Sequence, residues 1–280
     1  MKRLVSNEAA DIACSKLNEL YSQVPETAGC MQNIFEGAKC DARCCQFQNP
    51  QALYCEFTNI WKDMLKHYAI GEIVAVIQEA LRNYLSDKPT KGCIFFSKET
   101  KICRCHKVRP LACREYGIAP PEEFQSRYDK LKDKYKDNKD AVIMPQCDLI
   151  KTVDGSIVTK ELSDDWFAKL IEIEKGIGVP ENEINDDFGG TYRTLHDHIM
   201  IYLFSENRLE AFSIARVSAS PQAKEAMVQD IIGGIVRAIT TIIESRDKQN
   251  GGDSTQTSQS AGGEVQRENT ASDMDGQVPR

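Results

Sequence analysis

The sequence predicts a mainly α-helical protein, a helical scaffold that carries irregular cysteine-rich loops and a minor amount of β structure. Apolar residues recur at three- and four-residue steps over several long segments, which is typical of helices with one buried face. Glycine and proline separate these segments. Seven of the eleven cysteines fall in two short clusters, the run CDARCC at 40–45 and the segment from Cys93 to Cys113.

The first half is predicted to hold four helices around the cysteine segments. An imperfect apolar stripe with Leu4, Ile12 and Leu17 predicts a helix over 4–22, and residues 29–50 are predicted to be irregular loop. Residues 51–86 have a strong helical pattern, with a break expected at Gly71. Short strand-like or turn pieces are expected near 94–96 and 141–160. A surface helix is expected to open at Pro120 and Pro121.

The second half is predicted to be helical up to a polar tail. Ser163 and Asp164 are expected to cap a helix that continues to about Lys175. Further helices are expected after Gly190 and from Pro221 onward. This pattern divides the chain into a cysteine-cluster domain (1–150), a helical C-terminal region (151–247) and a disordered tail (248–280). The tail is expected to be disordered because it has too few large apolar residues to offset the entropy of ordering.

Composition and charge exclude several classes of function. The net charge of -7 argues against a nucleic-acid-binding protein, which is usually basic. We find no secretion signal and no apolar stretch long enough to span a bilayer, so we expect a cytoplasmic protein without a membrane partner. In a reducing compartment, clustered cysteines bind metals or catalyse more often than they form disulfides.

The cysteine clusters predict a metal site. Thiolates are soft ligands, which select zinc, copper(I) or iron–sulfur clusters, and zinc sites and iron–sulfur clusters both use four protein ligands. The count of candidates allows one centre with spare thiols, or two centres. The residue types leave zinc and iron–sulfur open. The candidate ligands are Cys40, Cys44, Cys45, Cys93, Cys103, Cys113 and Cys147, with Cys30 as a substitute for the last.

Two arginines lie beside the proposed ligands. Arg109 precedes Pro110, and Arg114 follows Cys113 directly. Guanidinium groups can donate hydrogen bonds to thiolate or sulfide sulfur, which would tune the charge and potential of a cofactor. We therefore name both arginines as candidate cofactor-binding residues, with a structural ion pair as the alternative role.

The order of these motifs resembles the YkgJ-like cysteine-cluster family, a CxxxCxxCC-type domain described as zinc- or iron-chelating. The resemblance covers about residues 30–150, and its most specific part is the RP-x2-CR segment. It implies metal binding, with an iron–sulfur cluster as the expected cofactor. A related cysteine arrangement in flagellin lysine N-methylase makes protein modification an activity by analogy. The matching residues are Cys40, Cys44, Cys45, Gly92, Cys93, Phe95, Cys103, Arg109, Pro110, Cys113, Arg114 and Cys147.

Three functions are consistent with these observations. The leading hypothesis is an iron–sulfur protein with a redox or an uncharacterised catalytic role. The alternative is a structural zinc module that presents its helical half to a protein partner. A third is a metal-free thiol redox enzyme that uses Cys103 with Cys105, or Cys44 with Cys45. Cys105 and His106 stand where the family commonly has an apolar and an aromatic residue, so either is an extra ligand or a variant.

Overall fold

The computed structural model describes residues 6–28, 43–87, 92–137, 143, 146–147, 149–179, 181–184 and 191–251. The fold is mainly α-helical with a minor β component, as the sequence predicts. The chain divides into two compact units, residues 1–235 and 236–280. The first unit contains the predicted cysteine-cluster domain (1–150) and most of the predicted helical C-terminal region (151–247). The second is helical up to Gly251, and the predicted disordered tail lies outside the described residues from position 252.

Seven of the described helices have 13 or more residues, and the other described helices and the strands are short. The helices are α1 (Asn7–Tyr21), α2 (Arg43–Phe47), α3 (Tyr54–His67), α4 (Ile70–Leu85), α5 (Leu111–Glu115), α6 (Pro121–Lys134), α7 (Lys160–Gly176), α8 (Glu181–Ile184), α9 (Leu195–Leu203), α10 (Glu206–Ser218) and α11 (Pro221–Gly251). The strands are β1 (Thr27–Ala28), β2 (Gln51–Ala52), β3 (Lys151–Thr152) and β4 (Arg193–Thr194).

Helix α3 lies at the centre of the core and packs against α1, α7 and α9. Its apolar positions Phe57, Ile60 and Met64 are fully buried, which confirms the periodicity of this segment. Two apolar residues of the predicted helical stripes lie outside the buried faces of their helices. Ile12 and Leu65 are 51% and 57% exposed, because each lies about 100° around its helix from a buried neighbour.

Several helix boundaries differ from the sequence expectation. Residues 51 and 52 were predicted to be helical but form strand β2, and α3 begins at Tyr54. The break between α3 and α4 falls at Tyr68 and Ala69, and Gly71 is inside α4, because Glu72 caps this helix by accepting the N–H of Ala69 at 3.1 Å. Helix α7 begins at Lys160, because Thr159 accepts the N–H of Leu162 at 3.3 Å. Better capping groups therefore lie a few residues before the predicted starts.

Two small antiparallel ladders join distant parts of the chain. Strand β1 pairs with β3, with Thr27 opposite Thr152, and β2 pairs with β4, with Gln51 opposite Thr194. The turn at Gly155, which has a φ of 73°, follows β3 where the sequence predicts strand and turn. No helix in the described part of the chain is long and apolar enough to cross a membrane.

Candidate metal centre

The two cysteine clusters meet through their backbones. The N–H of Cys93 donates to the carbonyl of Cys45 at 2.8 Å. Gly92 lies against the carbonyl oxygen of Gln46, which would be only 2.5 Å from an added Cβ atom. Glycine is therefore the residue that allows this approach, and the contact brings the chain around Cys44 and Cys45 against the chain around Cys93.

A tight hairpin then returns the chain to the same place. Phe96 pairs with Cys103, and the N–H of Arg104 donates to the carbonyl of Phe95 at 2.8 Å. The hairpin turns at Lys101, whose φ is 57°. The hydroxyl of Tyr68, at the end of α3, donates to the carbonyl of Arg104. The hairpin places Cys103 beside the first cysteine cluster.

Four thiols form a chain of sulfur contacts across both clusters. The Sγ atoms of Cys44 and Cys45 are 3.9 Å apart, and those of Cys103 and Cys105 are 3.7 Å apart. Cys45 and Cys103 lie close enough for each to shift the pKa of the other, so the two pairs are neighbours. The side chains of the adjacent residues Cys44 and Cys45 therefore point the same way rather than to two separate centres.

Hydrogen bonds between these four sulfurs lower the pKa values of two thiols and raise those of the other two. The bond from Cys105, followed by the bond from Cys45, holds the pKa of Cys103 well below its usual value. The bond from Cys45 lowers the pKa of Cys44 to about 7. In return, the pKa values of Cys45 and Cys105 are raised, because each would lose a bond to its neighbour on ionising. Lowered and raised thiol pKa values thus alternate along the four sulfurs.

The sulfur chain lies in a cavity of about 940 Å³ that Cys93 and Cys113 also line. Burial raises the pKa of Cys93 to about 12 and the pKa of Cys113 well above its usual value. Beyond the cysteines, the cavity is lined largely by apolar and aromatic side chains, among them Phe124 and Leu170. Six thiols from three short segments therefore face one space.

The structure brings together most of the predicted ligands. Cys44, Cys45, Cys93, Cys103 and Cys113 line the cavity, as does Cys105. Cys147 has a partly buried free thiol but does not line it, and Cys40, like Cys30, lies outside the described residues. No group of three or more His, Cys, Asp or Glu among the described residues is arranged to hold a metal ion. The thiols are thus gathered without forming a finished coordination site.

The expected irregular loops are found in part. Cys93, Cys103 and Cys105 lie on the hairpin and its flanking turns, but Cys44 and Cys45 lie on the short helix α2 and Cys113 on the short helix α5. These helices have five residues each, so they place side chains much as a turn does. The prediction of an irregular loop over 29–50 was therefore wrong for Arg43–Phe47.

The two predicted arginines differ in their contacts. Arg109 lines the cavity, donates to Nε2 of His106 at 2.6 Å and donates to Oγ1 of Thr27 at 3.0 Å. Arg114 donates to the carbonyls of Arg109 and Lys107, at 3.0 and 2.6 Å, and its guanidinium lies 4.0 Å from the centre of the Tyr21 ring. Arg109 thus reaches the space beside the sulfurs, while Arg114 supports the backbone of the RP turn.

His106 is occupied by its arginine neighbour. Burial, and then the charge of Arg109, lowers the pKa of His106 to about 4, so the ring is neutral near pH 7. Because a guanidinium can only donate, Nε2 accepts the bond from Arg109. This nitrogen is therefore already used by a contact within the chain.

Glu56 was not among the predicted site residues, but it also lines the cavity. Its carboxylate is 1% exposed and accepts hydrogen bonds from Tyr21, Leu53 and Leu111. The signal was a glutamate within the apolar stripe of α3, three residues after the helix cap, where a carboxylate can accept the first free N–H groups. Burial raises the pKa of Glu56.

Comparison with known proteins assigns no function to this site. No family model, curated protein or solved structure matches the chain. The cysteine pattern and the convergence of six thiols are therefore the observations from which a function is inferred.

Proposed function

We propose that the chain binds an iron–sulfur cluster in the cysteine cavity and serves a redox role. The observation that supports this proposal is that six thiols converge on one largely apolar cavity, more than the four ligands that a cluster takes. Four thiolates of the predicted set would supply the ligands, and that set is Cys40, Cys44, Cys45, Cys93, Cys103, Cys113 and Cys147. When bound, such a cluster supplies one-electron redox chemistry.

The chemistry of the cavity suits a thiolate-bound cation. Thiols must lose their protons to bind a metal, and burial holds Cys93 and Cys113 in the protonated form when no cation is present. A bound cation offsets the cost of burying several thiolates, and Arg109 adds a positive charge at the edge of the cavity. The lining is largely apolar, and the polarity around a cluster influences its reduction potential.

A test of the proposal is metal analysis of the full chain purified without oxygen. We expect a brown protein with broad visible absorption and comparable amounts of iron and acid-labile sulfide. A colourless preparation that contains no iron would overturn the proposal. The electronic spectrum and the metal content together decide the result.

Serine variants locate the site. Cys103 contacts both Cys45 and Cys105, so Cys103→Ser should lower the bound iron at least tenfold. Cys14 is partly buried on α1, and Cys14→Ser is the matched control that should keep the iron. If both variants keep their iron, the cluster lies elsewhere.

A structural zinc site is the second candidate, and the sulfur distances favour it. With Zn–S bonds of about 2.3 Å, the edge of a tetrahedral site is about 3.8 Å. The Cys44–Cys45 and Cys103–Cys105 distances of 3.9 and 3.7 Å are close to this edge. In that case, the anaerobic protein contains one zinc per chain and no sulfide, chelation lowers its melting temperature, and the helical region is free to serve a protein partner.

A further inference from the structure

Glu56 connects the helical scaffold to the cysteine cavity. Its Oε1 atom accepts the hydroxyl of Tyr21 on α1 and the N–H of Leu111 on α5, both at 2.7 Å. Its Oε2 atom accepts the N–H of Leu53 at 3.0 Å, at the start of α3. One buried carboxylate thus joins three separate segments of the chain.

The bond to Leu111 fixes the helix that carries Cys113. Leu111 is the first residue of α5, where an N–H group has no acceptor within the helix. The N–H of Cys113 donates to the carbonyl of Pro110 at 2.9 Å, which ties the cysteine to the same turn. The position of Cys113 therefore follows the position of the Leu111 N–H.

Arg114 holds the preceding turn against the same tyrosine. Its guanidinium lies over the Tyr21 ring and donates to the carbonyls of Lys107 and Arg109. The ring and the hydroxyl of Tyr21 thus contact Arg114 and Glu56 together. These three side chains form a clamp (Glu56, Tyr21 and Arg114) on the segment that ends at Cys113.

We propose that Glu56 is a positioning residue for the metal centre, because it sets where Cys113 stands relative to the cysteines of the other segments. This inference rests on the proposed function for its effect on a bound metal. Its effect on Cys113 holds for the metal-free chain as well.

Glu174 provides a matched comparison. It is fully buried like Glu56 and accepts two N–H groups at the start of α3, those of Tyr54 at 3.0 Å and Cys55 at 2.8 Å. Both of these bonds end on α3, whereas Glu56 also reaches α5. Glu174→Gln therefore reproduces the loss of a buried charge without loss of the contact to the Cys113 helix.

The experiment compares Glu56→Gln with Glu174→Gln in the full, reduced, metal-free chain. Alkylation of each cysteine by iodoacetamide is followed by mass spectrometry, with Cys14 as the internal reference. We expect Cys113 to react about tenfold faster in Glu56→Gln than in Glu174→Gln, because a charged hydrogen-bond acceptor is lost at its helix. Equal rates at Cys113 in the two variants would overturn the inference.

A second measurement follows the metal centre itself. The same proteins are loaded with cobalt(II), and the sulfur-to-metal charge-transfer bands are recorded. We expect these bands to shift or weaken in Glu56→Gln and to match the wild type in Glu174→Gln. If both variants show the same bands as the wild type, the role of Glu56 at the metal centre is contradicted. If the wild-type chain itself takes up no metal, the proposed function is contradicted, and the alkylation rates alone then test the role of Glu56.

Tyr21→Phe covers the case in which Glu56→Gln does not fold. This variant keeps the ring under Arg114 and removes only the hydroxyl that donates to Glu56. We expect Cys113 to react about threefold faster than in the wild type, because the carboxylate loses one of its three hydrogen bonds. An unchanged rate in Tyr21→Phe would overturn the inference on its own.

Discussion

The helical core and the cysteine cavity bury polar groups in different ways. In the core, the carboxylate of Glu174 accepts two backbone N–H groups, and the buried ring of His198 bonds to the carbonyl of Ala52 at 2.8 Å. In the cavity, the thiol of Cys44 contacts that of Cys45, and the thiol of Cys103 contacts that of Cys105. The core residues are explained by their contacts within the chain, whereas contacts between thiols contribute little to stability. The difference indicates that the core maintains the fold and that the cavity is suited to bind a group.

The largest effect should come from a cavity made in the core. Phe57 is fully buried, and its ring is 5.0 Å from that of His198 and 6.0 Å from that of Trp61. Phe57→Ala should lower the free energy of unfolding by about 3–5 kcal/mol, measured by denaturant unfolding of the metal-free chain.

The matched control for this change is Phe47, which lines the cysteine cavity and is 40% exposed. Phe47→Ala should cost less than about 1.5 kcal/mol, since little packing is lost there. A comparable loss in both variants would show that the cavity contributes to stability as the core does.

Acid should destabilise the core through its histidines. Burial lowers the pKa values of His196 and His198 to about 4 in the folded chain, against about 6.5 when unfolded. Protonation therefore favours the unfolded state. The stability that each neutral ring contributes is fully present above pH 6.5 and is lost as the pH falls toward 4, by roughly 3 kcal/mol per histidine.

His198→Phe isolates one of these contributions. Phenylalanine can keep the stacking on Phe57 but gives up the hydrogen bond to Ala52, so the variant is less stable at pH 7. Between pH 7 and pH 5 its free energy of unfolding should fall less steeply than that of the wild type. Identical pH slopes for the two proteins would refute the assignment of acid sensitivity to His198.

A third prediction tests the contact between the cysteine clusters. An added methyl group at Gly92 would lie 2.5 Å from a backbone oxygen of Gln46, so Gly92→Ala must push the two segments apart. We expect a loss of about 1–3 kcal/mol in the free energy of unfolding and weaker metal binding.

Gly71 is the control for this substitution. It lies in the first turn of α4 with no atom within 4 Å of an added Cβ, so Gly71→Ala should stabilise the chain by about 0.4–1 kcal/mol and leave metal binding unchanged. If Gly92→Ala binds metal as tightly as Gly71→Ala does, the spacing of the two cysteine clusters is not what forms the site.

The helical elements could be predicted from sequence because their signal is local. The steps from Phe57 to Met64 define the buried face of α3 without reference to any other segment. The exact ends could not be found in this way. At Thr159 and Ala69, hydrogen bonds to the capping groups set the start of the helix, and several nearby residues offered similar caps.

The candidate site could be predicted in composition but not in arrangement. Cysteine spacing pointed to Cys103 and Cys113, but the contact between Cys45 and Cys103 depends on how distant segments pack. The partners of Glu56 could not be predicted for the same reason, since Tyr21 and Leu111 are far from it in sequence. The set of ligands, the family resemblance and the cofactor stay predictions.

The smallest effect should come from a cavity thiol in the metal-free chain. Cys103 is partly buried among other sulfurs that can bond to a hydroxyl, so Cys103→Ser should change the free energy of unfolding by less than about 1 kcal/mol.

Cys55 is the comparison within the core, where it is fully buried. Cys55→Ser puts a smaller and more polar side chain beside the buried Glu174 and should cost about 1–3 kcal/mol. The measurement is denaturant unfolding of both variants. If Cys103→Ser lowers the free energy of unfolding of the metal-free chain as much as Cys55→Ser does, the cavity cysteines are ordinary core residues, and the contrast between the two regions is lost.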